Sequence, residues 1–276
     1  MISGLLTFRV FKTHKQGESV ADCQDAYCVQ EGKPRNGDDS GVDWRIAVSD
    51  GATSSFFPAE WAKMLSKTFV DSFPNELLGG PGDAQQIALD AWLQSARSSW
   101  LQSVVSKAER KPHYTINNGL AERRAGAATL LGVVVNPKIP AKWVAVAVGD
   151  SCLFHLGTGE RMHSFPLMEP DQFTDYVEAL PSRQTDSQRS VNVYRHDGTG
   201  PGGCLSEGDV LVMATDALAK FLMERHRAGR SVWSTLLALQ DQTEFEAFVK
   251  DARQNEDEAM DNDDVTLTIL IAGVPH

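Results

Sequence analysis

Three apolar runs in this chain each lead directly into an aspartate. They are residues 46–50, 146–150 and 210–216, which end on Asp50, Asp150 and Asp216. Runs of this composition predict buried β-strands, and strands that each end on an acid can bring those acids to one edge of a sheet stack. A fourth run, residues 265–271, is preceded by Asp263 and Asp264. The pattern therefore predicts layered β-structure with carboxylates gathered along one edge.

A cluster of carboxylates has a chemical consequence. Neighbouring carboxylates repel one another and raise one another's pKa unless a cation neutralises them. Hard oxygen ligands favour Mg²⁺ or Mn²⁺ over zinc, and none of the seven histidines forms an HExxH-type pattern. We therefore expect a divalent-metal site and phosphate chemistry. No glycine-rich phosphate loop supports nucleotide binding.

Charge, hydropathy and cysteine content exclude several other classes of protein. A net charge of −11 argues against nucleic acid as a partner, because such binding needs a basic surface. No apolar run approaches the ~20 residues that span a bilayer, so no membrane partner is expected. Residues 1–15 lack a secretory cleavage pattern, and the expected localisation is cytoplasmic. The four cysteines are too few and too irregularly spaced for a disulfide framework, and we expect reduced thiols.

The order of predicted elements indicates an α+β protein. Strands come in hairpins, and helices lie in blocks between them, which is not the strict alternation of a parallel sheet. A segment with little periodicity, about 157–203, predicts an irregular flap. The predicted strands are 5–11, 26–30, 44–49, 128–135, 142–148, 152–156, 209–214 and 265–271, and the predicted helices begin at Pro58 or span 83–110, 217–227 and 243–253.

Six short motifs, taken in order, resemble those of the metal-dependent type 2C (PPM) serine/threonine protein phosphatase family. They lie at residues 23–27, 48–52, 128–131, 148–151, 205–216 and 263–266. Each motif alone is weak, since a strand followed by Asp-Gly is common, but all six in this order are specific. The pair Gln24-Asp25 is similar to a bacterial branch of the family, where Gln-Asp replaces the more usual Glu-Asp.

The resemblance implies a fold and a domain organisation. We expect a four-layer αββα sandwich of two antiparallel sheets flanked by helices, with the metal site at one edge. Residues 1–276 would form a single phosphatase domain, and the segment at about 157–203 would be the family's variable flap beside the active site.

The resemblance also implies roles for individual residues. Asp50 is expected to bridge two divalent ions, Mn²⁺ or Mg²⁺, and the Gly51 carbonyl to bind one of them. Asp216 and Asp263 would ligate the second ion, and Asp25 would hold a metal-bound water. Asp25, Asp50 and Asp216 are the expected catalytic residues. The nucleophile would be a metal-activated water, without a phosphoenzyme.

Some of these assignments compete with structural roles. Asp150 would lie outside the direct ligands or bind a third, weaker ion together with Asp216. Without the resemblance, Asp50 and Asp150 would be interpreted as turn residues, and Asp216 equally as a helix N-cap. Asp263 is chosen over Asp264 only by its register with the following threonine. Gln24 would orient other groups, and the remaining motif residues Cys23, Thr129 and Thr266 would be packing residues.

The chain departs from the family pattern at three places. The basic residue expected shortly before Gln24-Asp25, where it would bind phosphate, is missing from residues 17–23. Ala52 stands where some members carry a histidine general acid, and Ala217 stands where a glycine is usual. The residues that could replace the missing base are Lys12, Lys15, Arg123, Arg124 and Lys220, and the sequence does not choose among them.

The resulting hypothesis is metal-dependent hydrolysis of phosphoserine and phosphothreonine in proteins. The partner would be a phosphoprotein, either a bacterial Ser/Thr kinase or its targets. A catalytically weak pseudo-phosphatase that binds a phosphoprotein is the alternative, favoured by the missing basic residue and opposed by the intact aspartates. A phosphatase acting on small molecules would use the same chemistry.

Overall fold

The computed structural model describes residues 6–31, 43–74, 83–110, 114–136, 141–157, 161–184, 194–196, 204–255 and 258–273. The strands are β1 (Leu6–Thr13), β2 (Ala26–Gln30), β3 (Trp44–Ser49), β4 (Ala127–Ala128), β5 (Leu130–Asn136), β6 (Ala141–Val148), β7 (Cys152–Gly157), β8 (Arg161–Phe165), β9 (Leu180–Pro181), β10 (Tyr194–His196), β11 (Cys204–Leu205), β12 (Val210–Ala214) and β13 (Val265–Ala272). The helices are α1 (Pro58–Ser72), α2 (Asp83–Arg110), α3 (Tyr114–Ala121), α4 (Asp216–Arg227), α5 (Trp233–Ala238) and α6 (Gln242–Arg253), with 3-10 turns at Val20–Asp22 and Pro170–Gln172.

Two antiparallel sheets form the centre of the molecule. The first has the strand order β1-β13-β12-β7-β8. The second has the order β10-β6-β5-β3-β2, and β11 also pairs with β6. Every pairing within both sheets is antiparallel. A small third sheet joins β4 to β9.

Three apolar clusters define four layers. Side chains such as Leu131 and Met213 pack between the two sheets. Trp61 and Trp100, from α1 and α2, cover the outer face of the second sheet. Leu222 and other residues of α4, α5 and α6 cover the outer face of the first. The predicted α+β, αββα architecture is confirmed, and the order of layers follows from burying one apolar face of each helix against a sheet.

The structure contains several elements that the sequence did not predict. Helices α3 and α5 are short, with eight and six residues, so they offer too few turns for a clear helical period. Strand β8 lies inside the segment predicted to be irregular and extends the first sheet beside β7. Its residues Met162 and His163 are only partly buried, which weakens the alternation that indicates a strand. Much of the rest of that segment, residues 185–193 and 197–203, lies outside the described residues.

Two further expectations concern helices and cysteines. Within the described ranges, no helix has both the length and the apolar character that crossing a bilayer requires. All four cysteines are free, as the sequence predicts. Burial raises the pKa of the Cys23 thiol to about 12, and it also raises the pKa of Cys152, so these two thiols stay protonated and unreactive.

Candidate active site

The ends of four strands bring aspartates to one edge of the sandwich. Asp50 directly follows β3, Asp150 lies in the turn between β6 and β7, and Asp216 follows β12 as the first residue of α4. Asp263 precedes β13. All four line one cavity of about 520 Å³, together with Gly51, Asp261 and Asp264. The clustering predicted from strand-terminal acids is therefore present.

Hydrogen bonds to Thr129 fix the backbone at Asp50. The Asp50 N–H donates to the Thr129 hydroxyl at 3.1 Å, and the Thr129 N–H donates to the Asp50 carbonyl at 2.8 Å. The Thr129 hydroxyl also lies 3.2 Å from that of Ser151. Thr129 is therefore more than the packing residue that the sequence predicted, because it holds the segment that carries Asp50.

Glycine is needed at two positions beside these acids. A Cβ on Gly51 would lie 2.8 Å from the Pro58 carbonyl carbon and 2.9 Å from the Gln24 carbonyl oxygen. Gly149, just before Asp150, has a φ of +100° and lies against Thr129. A side chain at either position would displace the turn and its aspartate.

Asp25 is buried close to Asp50. It is 3% exposed and precedes β2. Its Oδ2 accepts a 2.9 Å hydrogen bond from the Thr215 hydroxyl, while Oδ1 is buried and has no hydrogen-bond partner among the described residues. The Lys12 ammonium donates to the Asp25 carbonyl oxygen at 3.1 Å. Asp25 does not line the cavity itself, but its charge acts on Asp50.

The buried aspartates have raised pKa values. Burial raises the pKa of Asp25 to about 7, and burial together with the neighbouring charges of Asp150 and Asp25 raises the pKa of Asp216 to about 8. Burial raises the pKa of Asp150 to about 6. The pKa of Asp50 lies well above its usual value because it is desolvated and faces other acids, with Asp25 first among them. Such values indicate negative charge that the protein itself does not compensate.

Asp263 and Asp264 differ in what their side chains contact. Asp264 is buried, and its two oxygens accept hydrogen bonds from the backbone N–H groups of Lys15 at 2.9 Å and Gln24 at 2.6 Å. Asp263 Oδ1 accepts a hydrogen bond from the adjacent Asp264 N–H. Asp264 therefore ties the chain around Gln24 to the start of β13.

The structure separates the roles that the sequence left open at the start of α4. The N-cap position is Thr215, and Asp216 is the first helical residue. Asp216 Oδ1 accepts a 2.7 Å hydrogen bond from the Ala217 N–H. The Thr215 hydroxyl makes no capping bond but donates to Asp25 and accepts from the Thr266 N–H at 2.9 Å. The N-cap interpretation of Asp216 is therefore wrong, because the helix begins with it.

Lys220 is the one Lys or Arg that lines the cavity within the described part of the chain. It lies one helical turn beyond Asp216, and its ammonium forms a 2.8 Å ion pair with Asp261. The other candidate bases are elsewhere: Lys12 contacts the Asp25 carbonyl, and the Arg124 guanidinium lies 5.5 Å from the centre of the Phe56 ring. Of the five possible replacements for the missing base, Lys220 has the position to meet a ligand in the cavity.

The donor set fits divalent cations. Asp25 and Asp150 each have a buried Oδ1 that makes no hydrogen bond to any described residue, and orphaned buried oxygens are rare in proteins. All the acids offer hard oxygen atoms, which Mg²⁺ and Mn²⁺ prefer. Across the described ranges, however, no three Asp, Glu, His or Cys side chains converge into a ready-made metal cage. The chemistry of these acids therefore suits a divalent cation.

Two helix-flanked antiparallel sheets with a carboxylate cleft at one edge are the architecture expected of the PPM phosphatases. A family model described as Protein phosphatase 2C matches residues 15–263. The chain belongs to this family, which supports protein phosphatase function. No curated protein matches the chain significantly in sequence.

The solved structures that match this chain are distant from it in sequence. The photosystem II phosphatase PBCP has a TM-score of 0.52 and 15% identity, covering 96% of this chain and 98% of its own. A phosphatase from a pathogenic strain of Toxoplasma gondii has a TM-score of 0.52 and 10% identity, covering 99% and 96%. The PPM Ser-Thr phosphatase MsPP from Mycobacterium smegmatis has a TM-score of 0.44 and 16% identity, covering 99% and 100%. For the first two structures, the likeness at these identities concerns the fold alone.

Sequence reasoning missed three features of the site. Thr215 links Asp25 to β13, Asp264 holds the Gln24 segment, and Asp261 pairs with Lys220. A signal for the first was available, since Thr215 is a polar residue at the end of an otherwise apolar run. The other two depend on contacts between distant parts of the chain.

Proposed function

We propose that this chain removes phosphate from phosphoserine and phosphothreonine residues of proteins with the help of bound divalent metal ions. The observation that carries the proposal is the convergence of Asp50, Asp150, Asp216 and Asp263 on one cavity, with charge left uncompensated. An acidic cleft repels a phosphate dianion unless cations are bound, so metal binding and phosphate chemistry belong together.

The metal-holding residues follow the register of the family motifs. Asp50, the Gly51 carbonyl, Asp216 and Asp263 would hold the metal ions. Asp150 would stand outside these or share a third, weaker ion with Asp216. The ions would be Mn²⁺ or Mg²⁺, and when bound they would supply charge neutralisation and a lower pKa for water.

Other residues of the chain would prepare the attack. Asp25, oriented by the Thr215 hydroxyl at 2.9 Å, would accept a hydrogen bond from the attacking water. Lys220 would release Asp261 and bind a phosphate oxygen. In this way Lys220 would replace the basic residue that is missing before Gln24. Because Ala52 offers no proton, solvent water would protonate the leaving serine or threonine oxygen.

The wider setting of the activity is also part of the proposal. The substrate would be a bacterial Ser/Thr kinase or a protein that such a kinase phosphorylates, and the reaction would take place in the cytoplasm. Residues 1–276 would act as one phosphatase domain. A pseudo-phosphatase that only binds phosphoproteins is disfavoured, because all the aspartates that catalysis requires are present.

The decisive experiment measures hydrolysis of an aryl phosphate in Mn²⁺, in Mg²⁺ and in chelator. The wild type is compared with Asp216→Asn and with Asp251→Asn, an exposed aspartate on α6 that serves as the control. We expect turnover that needs metal, is lost in Asp216→Asn and is retained in Asp251→Asn. A folded wild type with no turnover in either metal contradicts the enzyme proposal and favours the binding role. Phosphopeptides compared with small phosphate esters then separate protein from small-molecule substrates.

A further inference from the structure

A second cavity, of about 470 Å³, lies beside the carboxylate cleft. Lysines from three separate elements line it, and we name it the lysine groove after them. They are Lys12 of β1, Lys63 and Lys67 of α1, and Lys107 of α2. Four ammonium groups therefore lie close together, although the net charge of the chain is −11.

The lysine groove keeps a positive balance after its internal ion pairs are considered. Two carboxylates also line the groove: Glu60 pairs with Lys107, and Asp25 lies close to Lys12, whose charge acts on it. Lys67 pairs with Asp71 at 2.5 Å, where both side chains are about half exposed, so solvent weakens this pair. Lys63 is exposed and has no carboxylate partner among the described residues. At least one ammonium group is therefore fully available to an outside anion.

Adjacent residues of the chain line the lysine groove and the carboxylate cleft. Gln24 lines the cleft and Asp25, the next residue, lines the groove. Lys12 contacts the Asp25 carbonyl at this boundary. Tyr27, 41% exposed, adds an aromatic surface to the groove. The two cavities therefore adjoin at Gln24 and Asp25.

We propose that the lysine groove binds acidic residues that flank the phosphorylated residue of the protein substrate. The inference rests on the proposed phosphatase function and adds a preference for acidic phosphoproteins. Carboxylates on the substrate complement the ammonium groups, whereas the acidic cleft alone would repel such a substrate. An acidic peptide fits better than a nucleic acid, because the overall charge of the chain opposes a long polyanion.

Binding can be measured without turnover. The probes are a fluorescent unphosphorylated threonine decapeptide flanked by Asp and Glu, its counterpart with Asn and Gln, and a single-stranded oligonucleotide. Fluorescence anisotropy gives their affinities for the wild type, for the double variant Lys63→Glu/Lys67→Glu and for Lys250→Glu. Lys250 is an exposed lysine on α6, outside the groove, and tests for an effect of net charge alone. Circular dichroism confirms that each variant is folded.

We expect the wild type to bind the acidic peptide about fivefold more tightly than the neutral one, as expected for a few exposed charge pairs. The preference should fall with added salt and disappear in the double variant, but persist in Lys250→Glu. With phosphorylated versions of the peptides, kcat/KM should show the same ratio. Equal binding of both peptides, a double variant that behaves like Lys250→Glu, or tighter binding of the oligonucleotide overturns the inference.

Together with the aryl phosphate assay, the binding experiment separates this inference from the proposed function. Absence of aryl phosphate hydrolysis together with a retained acidic preference would contradict the enzyme proposal and support the lysine groove. Metal-dependent hydrolysis without any acidic preference would do the reverse.

Discussion

The Thr215 hydroxyl donates a 2.9 Å hydrogen bond to the carboxylate of Asp25, which lies 190 positions earlier in the chain. Both side chains are buried, and the same hydroxyl accepts a hydrogen bond from the Thr266 N–H. One side chain thus joins the beginning of β2, the end of β12 and the beginning of β13 at the acidic edge. The position of Asp25 depends on the packing of both sheets.

Replacing Thr215 with valine should lower the free energy of unfolding by about 1–3 kcal/mol, because it leaves a buried oxygen and a buried N–H without a partner. Thr215→Ser keeps the hydroxyl and is the matched control. Urea denaturation gives the stability, and titration calorimetry with Mn²⁺ should show weaker metal binding for the valine variant only. Equal stability of the two variants would show that the hydroxyl is not needed.

Asp263 and Asp264 should separate into a metal ligand and a structural residue. Asp264→Ala removes acceptors from two backbone N–H groups, and we expect it to lower stability by about 1–3 kcal/mol. Asp263→Ala should weaken Mn²⁺ binding by at least about tenfold while changing the stability of the chelated protein little. Calorimetry and urea denaturation of both variants test this. If Asp264→Ala loses metal affinity and Asp263→Ala does not, the metal ligand is Asp264 and the choice of Asp263 is wrong.

The stability of the metal-free protein should fall as the pH rises. In the folded chain the pKa values of Asp150, Asp25 and Asp216 are about 6, 7 and 8, above the ~4 of an unfolded aspartate. The stabilisation from their protonated forms is fully present below about pH 4 and is lost as the pH rises through these higher values. The urea midpoint in chelator should therefore decrease between pH 5 and pH 8.

Two comparisons show whether the aspartates cause this pH dependence. Added Mn²⁺ should restore stability at pH 8, where the carboxylates are charged. Asp216→Asn, which cannot ionise, should show a smaller decrease than the wild type. A wild-type midpoint in chelator that increases from pH 5 to pH 8 would contradict the burial of these groups.

Lys220→Met should raise the KM for an aryl phosphate and the inhibition constant of inorganic phosphate by about three- to tenfold, because one charged hydrogen bond to phosphate is lost. The kcat should change less, and Lys220→Arg should recover much of the loss. Asp261→Asn frees the ammonium of its ion pair and should leave phosphate binding equal or stronger. Steady-state kinetics with phosphate as inhibitor distinguish these outcomes. Weaker phosphate binding in Asp261→Asn would show that the ion pair itself matters.

Much of the acidic edge was determined by the sequence alone. Asp50, Asp150 and Asp216 follow buried strands, and the burial of a strand is expressed locally in its own residues. The α+β class follows from the same local patterns. These predictions hold because hydrophobic periodicity and turn residues act over only a few positions.

Only the tertiary structure decided how the remaining residues meet. The tertiary structure places Asp25 in hydrogen-bond contact with Thr215 and Asp264 in contact with the backbone N–H of Gln24. It also places Lys220 in the lining of the cleft. It also brought the lysine groove together from Lys12, Lys63, Lys67 and Lys107. No periodic pattern in the sequence indicates these contacts, because the packing of sheets and helices determines which side chains meet. The sequence determined which carboxylates reach the edge, and the packing of the layers decided what surrounds them.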